Sequence, residues 1–229
     1  MICFVNFFLY LLINCVPIFQ VEADRVKPEE IIQKMMQIYA SLNSYTDEGV
    51  VNTYLRQDGQ IALSQIKFKT IFLRPNRLRF ELNYCLENGT RVDQEILLSD
   101  GERVFISEKK KLVPIKSIEE GLASLDGISF GSSYFVPRML LGLKEKFLLS
   151  NLRSVRIEGE EKIDNEDFVL IRGKHPKRES DVLIYIKKKD FILVKIRYIY
   201  ENKIIEETHY NIKINAEVSA ELFKIPSLR

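Results

Sequence analysis

Hydrophobic and polar positions along this chain fall into three regimes. From Ile2 to Phe19 the chain is almost continuously apolar, interrupted by Asn6 and Asn14, with no charged side chain before Glu22. A helical regime follows, in which Ile31, Met35, Ile38, Tyr39 and Leu42 recur at spacings of three and four. Pro28-Glu29-Glu30 suits its start, because proline fits a first turn and two acids complement the amide dipole. The spacing predicts one helix over 29–42, ending at Asn43-Ser44. From Tyr45 onward the period becomes two, the signature of half-buried strands.

The first strands read as a meander of antiparallel hairpins over 45–114. Residues 45–55 lead into an Asp58-Gly59 turn, and 61–73 return with Ile66, Phe68 and Phe72 on one face opposite Lys67, Lys69 and Ile71. The clearest alternation follows: Leu78, Phe80, Leu82 and Tyr84 against Arg77, Arg79, Glu81 and Asn83. Asn88-Gly89 is a strong hairpin signal. Asp100-Gly101 marks another turn. In the middle, Ser117 and Glu120 form a capping box for a helix over 117–126. Tyr134, Phe135, Met139, Leu140, Leu143 and Phe147, with Pro137 near the start, predict a further helix over 134–147. Gly127–Ser133, rich in Gly and Ser, reads as a mobile loop between them. Strands resume near 152–161, 166–173, 181–187, 191–200 and 203–213, and Ala220–Phe223 reads as a last helical turn.

These elements predict a mostly β (α+β) fold. Most strands have one apolar and one charged face, so the sheet should be wet on one side. A sheet of this size curls. The available helices would then cover its concave face, either filling the hollow or leaving a pocket.

Composition narrows the picture further. The 229 residues suit one domain, and 34 basic against 32 acidic residues give a net charge of +2, which offers no argument for nucleic acid. The basic clusters Lys109–Lys111 and Lys187–Lys189 fall where strand patterns break and read as solvated turns. The apolar leader followed by Val21-Glu22-Ala23 matches a secretory signal cut after Ala23, leaving 24–229 as the folded domain. An uncleaved anchor through residues 2–19 is the alternative, because the n-region lacks Lys and Arg. Cys15 invites a lipoprotein reading, against which Asn14 stands where a small residue is needed. With the signal removed Cys85 stands alone, a buried or half-buried thiol, and no internal disulfide forms.

No pattern carries catalysis. His175 lies in the basic turn Lys174–Arg178, and His209 falls on the polar-facing phase of its strand; neither has a neighbouring acid, His or Cys at metal spacing. Phosphate loops, nucleophile elbows and paired cysteines do not occur. The expectation is a protein that is not an enzyme and carries no cofactor or metal.

The order of elements resembles exported bacterial proteins of the LolA/LolB-like half-barrel superfamily. The resemblance rests on "IIQKMMQIYASLNSY", "TDEGVV", "RPNRLRFEL", "SDGERVFI", "SSYFVPRMLLG", "IEGEEKIDNEDFVLIRG" and "DVLIYIKKKDFILVKIRYIY", covering about 28–225. It implies a single curved antiparallel sheet forming an incomplete barrel, with helices as a lid over an apolar hollow. It also implies a periplasmic carrier whose partners are lipid or lipoprotein acyl chains, with envelope membrane proteins as further partners. A protein-interaction module without a small ligand, such as an envelope-stress sensor or assembly factor, is the alternative. On this reading Phe68, Phe72, Leu78, Phe80, Leu82 and Tyr84 form the pocket wall, and Tyr134, Phe135, Met139, Leu140 and Leu143 the lid. Taken singly, each of the wall residues is better explained as ordinary core; the pocket reading is collective.

Overall fold

Eleven strands build one antiparallel sheet, in two meanders that meet at the first and last strands. The computed structural model describes residues 26–57, 59–85, 92–108, 111–143 and 149–225. The expected leader with Cys3 and Cys15, the Asn88-Gly89 turn, Lys109, Lys110 and Phe147 lie outside the described residues, as does the side chain of Cys85. The first meander comprises β1 (Ser44–Gln57), β2 (Gln60–Leu73), β3 (Arg77–Cys85), β4 (Val92–Ser99), β5 (Val104–Glu108) and β6 (Lys111–Ile115). The second comprises β7 (Arg153–Ile163), β8 (Glu166–Lys174), β9 (Asp181–Lys187), β10 (Leu193–Ile199) and β11 (Lys203–Ile214). The order β6-β5-β4-β3-β2-β1-β11-β10-β9-β8-β7 leaves β6 and β7 as edges, so the barrel is incomplete, as expected.

Alternation decides which face is dry. Gly49 of β1 stands opposite Phe68 of β2, and Phe68 opposite Leu82 of β3. On that face Tyr45, Val51, Phe68, Phe72, Leu78, Phe80 and Leu82 are buried in one core with helical residues. Lys67, on the opposite phase of β2, is exposed, and Lys69 half-buried. The outer face is not wet throughout, however. Ile71, Leu98 and Phe105 are buried there, in register across Arg79. Arg79 donates to the Leu222 carbonyl at 3.2 Å, which brings the 3-10 turn Ala220–Phe223 onto β3.

Three α-helices lie over the dry face. α1 (Pro28–Ser41) buries Ile31, Ile32, Met35 and Tyr39. The chain then crosses from the β6 edge to the β7 edge through α2 (Ile118–Ser129) and α3 (Val136–Leu140). Ser117 Oγ accepts from the Glu120 amide at 3.2 Å, while Glu120 Oε2 accepts from the Lys116 amide, one residue earlier than a standard box. A Cβ on Gly121 would fall 2.2 Å from Leu97 Cδ1, so Leu97 would have to shift to admit a larger residue between α2 and β4. No helix among the described residues is long and apolar enough to cross a membrane.

Two expectations need correction. Over 134–143, the described part of the helix expected at 134–147, the structure holds a single helical turn, α3, followed by Gly142 with a φ of 68°; the aromatic spacing there reflects burial against the core. The expected mobile loop at Gly127–Ser133 is a tethered connection: α2 runs on through Ser129, and Ser129, Ser132 and Ser133 are buried. Ser129 Oγ and Ser133 Oγ are 2.9 Å apart, and Ser133 Oγ donates to the Leu122 carbonyl at 3.2 Å. Small hydroxyl side chains here satisfy backbone groups inside the fold, a role that composition alone does not distinguish from a solvated linker.

Arg74 ties the helices to the sheet. Its Nε donates to the Leu42 carbonyl at 2.8 Å and its Nη2 to the Leu140 carbonyl at 3.1 Å, so one guanidinium closes the ends of both α1 and α3. Hydrogen bonds to a charged group contribute about 1.5–3 kcal/mol. Arg74→Ala is expected to lower unfolding stability by about 2 kcal/mol in urea denaturation; a change under about 0.5 kcal/mol would show that the clamp is incidental.

Candidate functional site

The hollow is packed in part and open in part. At the end of the sheet where β1 runs out, a cavity of about 760 Å³ lies between the α2–α3 connection and the turns β8–β9 and β10–β11. That volume is within the roughly 300–1,000 Å³ typical of small-molecule sites. Its apolar and aromatic lining is Phe130, Tyr134, Phe135, Tyr198, Tyr200 and Ile205. Phe135 is locked from both sides, with ring centroids 5.5 Å from Tyr134 and 6.1 Å from Tyr198. Its polar lining includes Asp126, His175, Lys177, Arg178 and Lys203.

Local chemistry explains why these groups converge. Tyr198 stands opposite Ile205 in the β10–β11 register, and the tight return through Glu201 and Asn202 is closed by the Tyr200 amide donating to the Lys203 carbonyl at 2.8 Å. Lys203 Nζ then sits 4.8 Å from the Tyr200 ring centroid. Phe130 occupies the C-cap of α2 with a φ of 50°, a left-handed conformation that bulky side chains rarely adopt. Its ring is nevertheless 39% exposed at the cavity. Backbone strain that puts an aromatic ring at a cavity rim is characteristic of functional positions. A smaller cavity of about 320 Å³, lined by Asn76, Ser99, Glu102, Ser117 and Glu119 among others, lies at the other end of the strands and is the more polar of the two.

The expected wall and lid residues divide between core and cavity. Phe68, Phe72, Leu78, Phe80 and Leu82 are buried in the core, and Tyr84 is half-buried against it. Phe135, Met139 and Leu140 are buried, while Tyr134 and Leu143 are half-buried. Tyr134 and Phe135 line the cavity; the other expected wall and lid residues are not among its lining. Phe130, Tyr198, Tyr200 and Ile205 were missed. Tyr198 and Tyr200 lie on or next to the strand expected over 191–200, and their convergence with the α2–α3 connection depends on sheet curvature.

His209 corrects the sequence reading most. It faces the core, 2% exposed, rather than the solvent phase of its strand. Its Nδ1 lies 2.7 Å from Asp47 Oδ2, and its Nε2 lies 3.0 Å from Glu207 Oε1, although this second contact lacks hydrogen-bond alignment. Asp47 also accepts from the Tyr45 hydroxyl at 2.8 Å and from the Thr70 amide at 3.1 Å. His209 shares its phase with Ile205 and Glu207, both buried, along an unbroken β1–β11 register; the slip opposite Thr46–Glu48, with Asn211 at a φ of 53°, re-phases only the residues beyond it. The Phe68 ring stacks edge-on to His209 at 5.2 Å, and a Cβ on Gly49 would fall 2.0 Å from that ring.

Burial by itself would lower the His209 pKa, but the hydrogen bond to Asp47 and then the Glu207 contact outweigh it, raising it from 6.5 to about 9. The two carboxyl groups lie on opposite ring nitrogens, a geometry that pins an imidazolium between strands. Among the described residues no group of three or more His, Cys, Asp or Glu is placed to hold a metal.

An open antiparallel half-barrel with helices over its concave face is the LolA-like fold. No protein-family model matches the sequence, and no curated protein does. Among solved structures, LprF from Mycobacterium bovis is similar at a TM-score of 0.51 and 13% identity, over 87% of this chain and 96% of that one. The Mycobacterium tuberculosis lipoprotein LppX is similar at 0.50 and 14% identity, over 84% of this chain and 97% of that one. A LolA superfamily protein from Nitrosomonas europaea aligns at 12% identity over 89% of this chain and 100% of that one, with a TM-score of 0.35. At such identities the likeness to LprF and LppX shows a shared fold.

The raised His209 pKa makes stability depend on pH with a definite sign. Because the folded value exceeds the unfolded one, its contribution is complete below about pH 6.5 and disappears as the pH rises through about 9. At about 1.4 kcal/mol per pH unit this is roughly 3 kcal/mol. The difference in unfolding free energy between wild type and His209→Gln should shrink by about that amount between pH 6.5 and 9; a pH-independent difference would show that His209 is neutral in the fold.

Proposed function

We propose that this protein is an exported, periplasmic binding or carrier protein that holds an apolar ligand, a lipid or a lipoprotein acyl chain, in the half-barrel hollow. The observation that carries the reading is the cavity of about 760 Å³ with Phe130, Tyr134, Phe135, Tyr198 and Ile205 on its wall. Aromatic side chains that are rigid and already in place cost little entropy when they cover a hydrocarbon chain. Chemistry on the ligand is not part of the proposal, since the titratable pair with the most perturbed surroundings, His209 with Asp47, is sealed beneath Phe68. The buried wall residues Phe68, Phe72, Leu78, Phe80 and Leu82 then act as the floor that keeps the sheet curved, with Tyr134 and Phe135 in direct contact with ligand.

A second reading, a protein-interaction module, is favoured by one feature. Leu63, Tyr54, Ile204 and Ile199 stand directly opposite one another across four adjacent strands. Leu63 is 59% exposed and Ile204 36%. A row of this kind suits a partner's apolar face.

Gly127 provides a clean test. It lines the cavity, and a Cβ there meets nothing within 4 Å. Gly127→Phe should keep or raise stability by up to about 1 kcal/mol, because glycine inside a helix is unfavourable. Native mass spectrometry of the protein isolated from its own cell envelope should show acyl-chain ligand on the wild type, with a chain beginning at Asp24. The Gly127→Phe variant should carry several-fold less. An empty wild type that takes up no added lipid would transfer the reading to the interaction module.

A further inference from the structure

The cavity is not uniformly apolar, and its asymmetry has a chemical meaning. Phe130, Tyr134, Phe135 and Ile205 occupy part of the lining, whereas Lys177, Arg178 and Lys203 gather where the β8–β9 turn meets the start of β11. Several basic side chains elsewhere on this sheet are neutralised: Arg172 by Glu158 and Asp181, Lys187 by Glu166, Lys188 by Glu160, Arg197 by Glu206. Among the described residues no carboxylate lies within 4.0 Å of Lys177, Arg178 or Lys203. The lining does include Asp126, whose charge Arg178 senses from farther away.

Two further details support a positive potential at this rim. Arg178 is steadied by the Tyr200 hydroxyl, and Lys203 by the Tyr200 ring, so one aromatic side chain organises both cations. Arg153 adds a fourth positive charge nearby, its Nη2 donating to the His175 carbonyl at 3.3 Å. The pKa of His175 is lowered by its burial and then by Arg178, Lys177 and Arg153, which is what a locally positive field does to an imidazole.

We infer that the occupant is an amphiphile with an anionic head, a carboxylate or phosphate monoester, whose single hydrocarbon chain lies along Phe130, Tyr134, Phe135 and Ile205 while its head meets Lys177, Arg178 and Lys203. This inference rests on the cavity being the ligand site and adds the charge of the ligand to it. A neutral lipid would leave Lys177 and Arg178, both exposed, and half-buried Lys203 at the cavity rim without a carboxylate partner. An anionic head supplies the missing charge and accepts charge-assisted hydrogen bonds.

Isothermal titration of the purified protein with dodecyl phosphate, dodecanol and inorganic phosphate, all below micellar concentration, tests it. Dodecyl phosphate should bind about tenfold more tightly than dodecanol, and the gap should narrow at about 0.5 M salt, where exposed charges are screened. The Lys177→Gln/Arg178→Gln/Lys203→Gln variant should lose the preference for dodecyl phosphate over dodecanol. Equal affinity of the wild type for the two chain-bearing ligands overturns the headgroup assignment and leaves the cavity as an apolar site. Inorganic phosphate that displaces dodecyl phosphate at equal concentration overturns the amphiphile in favour of a free anion. No binding of either chain-bearing ligand overturns both this inference and the carrier reading. If the triple variant fails to fold, the wild-type ranking of the three ligands decides alone.

Discussion

The pairing of β1 with β11 sets the terms for the whole molecule. It joins residues about as far apart in the chain as a fold of this size permits, and it turns two separate meanders into one sheet with one dry face. Across it runs the contact between His209 Nδ1 and Asp47 Oδ2, placed where the register slips and the strand is re-phased. A buried charge is tolerable only when it is paired and hydrogen-bonded, and Asp47 meets that condition through Tyr45, Thr70 and His209 together. Gly49 makes room for Phe68, and Phe68 covers His209. The polar contact is therefore protected by the same aromatic packing that forms the floor of the hollow. A slip of one residue between these strands would turn Ile205, Glu207 and His209 away from the dry face.

From that seam the rest follows in order. Because β6 and β7 are the free edges, the segment joining them has to traverse the concave side, and it carries α2 and α3 across the opening. Gly121 lets α2 sink onto β4, and Arg74 fastens α3 beside α1. At the end where β1 begins, Tyr45, Phe72 and Leu78 are fully buried beside the smaller, more polar cavity. At the other end the crossing segment and the sheet separate, and the cavity is what remains between them. The buried serines at Ser129, Ser132 and Ser133 tether this side of the cavity, so its shape is largely preformed rather than created by a swinging lid.

Much of this was legible from residue order. The helix over 29–42, the strand alternation from Tyr45 to Tyr84, the Ser117 capping box and the final turn at Ala220–Phe223 all depend on local periodicity and local hydrogen bonds, and each is found within one or two residues of its expected place. The same local rules failed at Gly127–Ser133 and at 134–147. There a hydroxyl-rich segment is paired inside the fold, and apolar spacing reflects burial without a continuous helix. Of the expected pocket residues, Tyr134 and Phe135 meet the cavity, because an aromatic pair next to a helix break is visible in sequence as a covering element. The tyrosines that face them across the cavity, Tyr198 and Tyr200, are about 65 positions away in the chain.

The sequence by itself determined that the protein is mostly β, that its strands have one apolar face, and that a few helices must cover it. These are consequences of side-chain period and of water's exclusion from apolar surface, and they need only neighbours in the chain. Tertiary structure alone decided where the hollow is filled and where it stays open, that His209 is an internal charge rather than a surface one, and that three cations from two distant turns face one aromatic wall. Those outcomes depend on sheet curvature and on contacts between strands distant in the chain, and neither leaves a periodic trace in the order of the amino acids.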